Sequence, residues 1–124
     1  MNIQVLIIDD EIDIAQTIKD FLEDETDFKV VFSFSGEEGL KMLDKVKPDI
    51  CIVDMRLPEM TGIEFILRTH KKLPETKFIV HTGSIHYSIP LELKHMGITE
   101  DFVVAKPALD LAVFHEKIKQ LLQL

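Results

Sequence analysis

The chain reads as an α/β protein, a parallel sheet covered by helices on both faces. Three observations carry that reading. Strand-like and helix-like segments alternate from end to end, the pattern of repeated βαβ units. Two of the strand segments, residues 3–8 and 49–53, are nearly continuous apolar runs, as strands buried on both faces should be. Acids follow both runs: Asp9 and Asp10 after the first, Asp54 after the second. In an open α/β sheet that is the end where ligands bind.

Each element has its own signal. After the strand at 3–8, residues 12–25 place Ile12, Ala15, Ile18 and Phe21 or Leu22 on one face of a helix. A second strand is expected at 28–34. Ser35-Gly36-Glu37-Glu38 then has the capping-box pattern, opening a helix through about Val46. The third strand, 49–53, leads through a loop containing Pro58 and Gly62 to a helix at about 63–72. The fourth strand is expected at 77–82 and the fifth at 102–105. Between them, Pro90 suits the first turn of a helix and Gly97 its stop, leaving only about two turns between long connections. A last helix from about 108 carries Leu111, Phe114, Ile118 and Leu121 at helical spacing.

The bulk properties set limits. A length of 124 residues suits one domain, large enough for a real core without staples. Apolar residues make up 46% and charged residues 29%, which indicates a soluble globular class. With a net charge of −8, a broad nucleic-acid-binding face is not expected. The lone Cys51 excludes an internal disulfide and a thiolate zinc site, and reads as a buried, inert thiol. The N-terminal apolar run is too short for a signal peptide or membrane span, so a cytoplasmic location is expected.

The acids suggest the chemistry. Three carboxylates converging at one sheet end repel one another unless a cation joins them. Mg²⁺ suits a few carboxylates with water and phosphate oxygens. The residues thus point to metal-dependent handling of phosphate. Glu11 and Asp13 read as solvated acids of the first helical turn. Of the five histidines, His70, His95 and His115 fall on helices and read as surface residues, and His86 lies in a loop. His81 sits on strand four beside Thr82, where burial near the site is open. No two histidines on one helix have metal-ligand spacing.

Five elements together resemble the receiver domain of bacterial two-component response regulators: Asp9-Asp10, Asp54, Thr82, Lys106-Pro107, and the segment Asp54-Met-Arg-Leu-Pro58-Glu-Met-Thr-Gly62. The resemblance spans essentially all 124 residues. It implies a flavodoxin-like doubly wound sheet of five parallel strands, order 2-1-3-4-5, with five helices; the short fourth helix read from Pro90 and Gly97 is a departure from the family pattern. It implies a single receiver domain over 1–124, with no effector domain in this chain.

It also implies roles. Asp54 would accept a phosphoryl group from a sensor histidine kinase or phosphotransfer protein. Asp9, Asp10, Asp54 and the backbone carbonyl of Arg56 would hold Mg²⁺. Lys106 would pair with a phosphoryl oxygen, or with Asp54 when phosphate is absent. Thr82 would donate its hydroxyl and report phosphorylation to a downstream protein. Gly83 would leave room for the phosphoryl group, Pro58 and Gly62 would shape the loop, and Lys106–Pro107 would be cis. Such a domain assists its own phosphoryl transfer and dephosphorylation and is not an enzyme acting on a separate substrate. No membrane partner is implied; phosphorylation-dependent homodimerisation stays open.

One departure stands out. The family usually places Tyr or Phe three residues before the lysine, as a rotating switch; here that position is Val103, and Phe102 precedes it. Phe102 could substitute only through a bulge or shift. The alternative reading is therefore a receiver-like interaction module whose output is uncoupled from phosphorylation. An aspartyl phosphatase would want a second acid two residues after the nucleophile, where Arg56 stands. A flavin or nucleotide module would want a Ser/Thr/Gly-rich first loop in place of Asp-Asp-Glu.

Overall fold

The computed structural model describes residues 2–84 and 87–124; His86, read above as a loop residue, lies outside the described residues. Five parallel strands form one sheet: β1 (Gln4–Ile8), β2 (Lys29–Ser33), β3 (Ile50–Asp54), β4 (Lys77–Thr82) and β5 (Val103–Ala105). Their order is β2-β1-β3-β4-β5, as the resemblance implied. The helices are α1 (Ile12–Glu25), α2 (Gly36–Met42), α3 (Gly62–Lys72), α4 (Leu91–Lys94) and α5 (Ala112–Leu122).

Side-chain alternation divides the core. Leu6, Ile8, Cys51, Val53, Phe78 and Val80 face Leu43, Phe65, Ile66 and Leu93, from the α2–α3–α4 side. Val5, Ile7, Ile50, Ile52 and Ile79 face Ala15, Ile18, Leu22, Phe114 and Ile118, from α1 and α5. Period-two alternation with both faces buried is why the strand sequences read as unbroken apolar runs. Cys51 is wholly buried, and burial pushes its thiol pKa up, so no reactive thiolate forms there. Among the described residues, no helix is long and apolar enough to cross a membrane.

The elements differ from expectation mainly at their ends. Ile12 is exposed; the buried stripe of α1 is Ala15, Ile18 and Leu22. The second helix stops at Met42, not Val46. There the backbone tightens: Leu43 and Lys45 N–H donate to carbonyls three residues back, Leu40 and Met42, at 3.2 and 3.1 Å. One half of the capping box forms, Ser35 Oγ accepting from Glu38 N–H at 3.2 Å, while the Ser35 N–H donates to Ser33 Oγ at 3.4 Å and not to the Glu38 carboxylate. Thr61 caps α3 in the same way, at 3.1 Å to Glu64 N–H.

The fourth helix is a single turn. Gly97 ends it at φ 90°, with Ile98 N–H bonding Leu93 O and Gly97 N–H bonding Lys94 O, a Schellman arrangement. The last helix starts at Ala112, not 108, because Asp110 Oδ1 takes the Ala112 N–H at 2.9 Å and folds the preceding residues into a turn. Phe102 falls outside β5, in a 3-10 turn of Glu100–Phe102.

Gly62, read as a loop-shaping residue, has a specific packing reason. A Cβ there would stand 2.5 Å from the Asp54 carbonyl oxygen and 2.8 Å from Met55 Cα. Both obstacles are backbone, so the loop beside Asp54 would have to move. Gly62→Ala is expected to cost about 2 kcal/mol, read as a lower urea midpoint with an unchanged slope. A wild-type midpoint would show that the loop yields freely.

Candidate functional site

Register brings the chemistry together. Ile8 pairs with Val53, Asp54 with His81, and Thr82 with Ala105. Strands that run parallel and in step end at one level, so Asp9, Asp54, Thr82 and Lys106 all emerge at the same edge of the sheet. Asp10, Glu11, Asp54, Arg56, Gly83 and Lys106 line a cleft of about 270 Å³ there. A Cβ added at Gly83 would meet nothing within 4 Å.

Lys106 is the hub. Its Nζ lies 2.9 Å from Asp9 Oδ2, 3.0 Å from Asp54 Oδ2 and 3.0 Å from Glu11 Oε2. Its backbone N–H donates to the Thr82 carbonyl at 2.8 Å, anchoring the lysine to the end of β4. The Lys106–Pro107 bond that follows is cis. Asp54 Oδ1 accepts the Arg56 N–H at 3.0 Å, so both carboxylate oxygens are hydrogen-bonded. Asp9 Oδ1 likewise accepts the Glu11 N–H at 2.9 Å. Thr82 is buried, and its hydroxyl accepts the Ser84 N–H at 3.3 Å.

The electrostatics follow from crowding. Burial raises the Asp9 carboxyl above its ordinary range and the Asp54 charge adds to this; the Glu11 N–H and the Lys106 ammonium oppose it. For Lys106, burial alone would lower the pKa. Its hydrogen bonds to Asp9, Glu11 and Asp54 outweigh burial and hold it above the usual lysine range. Acid and base shift upward for different reasons: at Asp9 burial outweighs the ammonium, and at Lys106 the surrounding carboxylates outweigh burial.

Asp9, Asp10 and Asp54 each bring a carboxylate oxygen within 4.8 Å of the other two. Hard oxygen donors so close, at the mouth of a cleft, fit a small divalent cation. Asp10 does not cap α1; the N-cap is Glu11, which makes no side-chain capping bond. Its carboxylate is instead committed to Lys106. The reading of Glu11 as a solvated first-turn acid is thus corrected: it is half exposed, but it is part of the site. The contiguous Asp-Asp-Glu run held that possibility, but its use depends on a lysine 95 residues away. Asp13 is exposed, as read.

Other expected residues lie apart. Phe102 does not reach the cleft. It helps line a groove of about 200 Å³ with Lys77, Phe78, Met96, Ile98 and Leu121, beside the start of β4, with Lys117 Nζ 5.7 Å from its ring centroid. No bulge or shift brings it beside Thr82; Val103 holds the β5 position opposite Val80. His81 is buried and packs edge-on against Phe114 at 5.0 Å; among the described residues neither ring nitrogen has a hydrogen-bond partner. His115 is not free surface either, since it packs edge-on against Phe28 at 5.7 Å.

Comparison with known proteins agrees with this geometry. The family model described as the response regulator receiver domain matches residues 5–119. The chain is 33% identical over 103 residues to the chemotaxis protein CheY of Listeria monocytogenes, covering 82% of this chain and 85% of that one. It is 37% identical over 106 residues to a protein-glutamate methylesterase/protein-glutamine glutaminase of Myxococcus xanthus, covering 85% of this chain but 30% of that longer protein. A CheY-like receiver domain from Methanospirillum hungatei superposes with a TM-score of 0.82 at 29% identity, covering 99% of this chain and 95% of that one. The chain belongs to the receiver-domain family of response regulators.

Proposed function

We propose that this receiver accepts a phosphoryl group on Asp54 from a phosphohistidine of a sensor kinase or phosphotransfer protein, and that the change is read by a downstream protein. The observation that supports it most is the convergence of Asp54, Asp9, Asp10 and the Lys106 ammonium in one small cleft. An Asp54 carboxylate oxygen would attack phosphorus. The O–P bond forms as the donor's N–P bond breaks, and the imidazole leaves with the bonding electron pair. Carboxylates serve as nucleophiles in acyl-phosphate chemistry generally.

Asp9, Asp10, Asp54 and the Arg56 carbonyl would hold Mg²⁺, which when bound would neutralise charge on the phosphoryl oxygens. Lys106 would place its charge against the transferred group, as a compact point charge suits. Thr82, buried beside the cleft and tied through its carbonyl to Lys106, would turn its hydroxyl toward a phosphoryl oxygen. That motion would pass to the β4–β5 side of the sheet, where Val103 packs, and so change the surface offered to a partner.

The test is intact mass after incubation with acetyl phosphate and Mg²⁺. A single phosphoryl adduct is expected, dependent on Mg²⁺ and lost in Asp54→Ala. An adduct that persists in Asp54→Ala would move the acceptor elsewhere. No adduct from acetyl phosphate or a histidine-kinase donor would sink the proposal.

A further inference from the structure

We propose that the cavity between α1 and α5, floored by His81, is a binding site for a small neutral aromatic molecule that carries one N–H or O–H donor, and that its occupancy is felt at Lys106. The site is separate from the phosphoacceptor cleft, and the inference does not rest on the phosphoacceptor reading.

Size and lining set the body of the ligand. The cavity measures about 230 Å³, and Ile14, Ile18, Pro107, Ala108 and Leu111 give it apolar walls. An apolar cavity of about 150 Å³ already takes up benzene, so this one has room for a fused two-ring system. Ligand sites are commonly built this way, with apolar walls around a few placed polar groups.

His81 is the polar group. It is 2% exposed, and among the described residues neither ring nitrogen has a partner. Buried polar atoms seldom go unpaired. Burial keeps the imidazole neutral at neutral pH, so it offers one donor and one acceptor. A half-turn of the ring exchanges Nδ1 with Cδ2 and Nε2 with Cε1. One of the two orientations therefore sets a nitrogen at the edge that lines the cavity, and neither gives up a hydrogen bond already made.

The other polar residues stand at the rim. Asp13 and Thr17 are exposed, and the Thr17 hydroxyl already donates to the Asp13 carbonyl at 2.7 Å. Charge on the ligand is unfavourable in either sign. A cation meets the field of Lys106, which already reaches His81, and an anion meets Asp13.

Cavity and cleft share two pairs of sequence neighbours. His81 precedes Thr82, and Pro107 follows Lys106. The Lys106 N–H donates to the Thr82 carbonyl at 2.8 Å. A ligand lying against His81 and Pro107 therefore bears on the segment that carries the lysine.

Indole and indene are the probes, titrated into the full chain and followed by NMR. They share a shape, but only indole has an N–H. Indene is the less soluble in water, so apolar burial alone favours it. Indole is expected to bind about 5- to 10-fold more tightly, the scale of one hydrogen bond to an otherwise unpaired buried group. His81→Leu keeps an apolar floor and should reverse the order. Ala108→Leu leaves His81 in place, fills the cavity from its wall and should abolish binding of both. The Lys106 ε-methylene resonance should shift as indole saturates the wild-type chain.

Equal affinities, tighter indene, or no binding of either probe up to its solubility limit overturns the site. So does an indole preference that survives His81→Leu, or indole binding that survives Ala108→Leu. A Lys106 resonance unmoved at saturation overturns the link to the cleft.

Discussion

Lys106→Ala is expected to lower stability by about 3 kcal/mol at neutral pH. The substitution removes the one cation that Asp9, Asp54 and Glu11 share. Two of those acids are buried, so the cost is the penalty of leaving them unpaired, not the modest net value of an ion pair. Asp54→Asn should behave oppositely. It takes away one of three carboxylates crowded around one ammonium while its amide oxygen can still accept the Arg56 N–H. Its stability is expected to stay within about 1 kcal/mol of wild type, or to exceed it.

Urea unfolding of both variants at pH 7 makes the comparison. A Lys106→Ala protein as stable as wild type would mean that the acids do not depend on the lysine. The pH dependence gives a second check. Burial already holds the Asp9 carboxyl above its ordinary range, and loss of the ammonium would raise it further. A carboxylate raised in the folded state weakens the fold at high pH, and the penalty fades as pH falls through its folded pKa. Part of the Lys106→Ala deficit should therefore disappear on mild acidification.

The second large effect is acid destabilisation through His81. Burial, with the Lys106 charge adding to it, lowers its pKa from the ordinary 6.5 to about 4; the Asp54 and Glu11 charges oppose this only in part. A histidine depressed in the folded state stabilises the fold fully above its unfolded pKa and loses that contribution as pH falls toward the folded value. The window is thus pH 6.5 down to about 4. The loss over that window is about 3 kcal/mol, from 1.4 kcal/mol per unit.

His81→Leu removes the titration along with two buried nitrogens that have no partner among the described residues. Below pH 5 it should be more stable than wild type, with a flatter stability curve between pH 4 and 7. The Asp9 contribution runs in the opposite sense and is common to both proteins, so the difference between the curves isolates His81. Parallel curves would show that the imidazole protonates in the folded state without penalty.

Much of the architecture was legible in the chain alone, for a local reason. Strands buried on both faces must be apolar at nearly every position, and Ile3–Ile8 and Ile50–Val53 are. A parallel βαβ sheet aligns its strand ends, so acids written after the first and third strands, and a lysine after the fifth, are committed to one edge. Helix starts such as Ser35 were legible because the capping group is only three residues from the N–H it serves. Helix ends were less so. Met42 became the end of α2 through backbone bonds that many sequences could make, and even a start was displaced where Asp110 Oδ1 took the Ala112 N–H and folded the residues before it into a turn.

Composition and periodicity determined the fold class, and the placement of acids and lysine determined where the chemistry gathers. Only the tertiary structure decided how the charges are shared. Glu11 and Lys106 are 95 residues apart, and nothing local to either tells whether the glutamate meets water or the ammonium. The same holds for Phe102, whose neighbour in sequence is a strand but whose ring packs toward the opposite end of the sheet. A strand's direction is encoded in a few consecutive residues. The partner of a long side chain is set by which loops converge around it, and that convergence is a property of the whole fold.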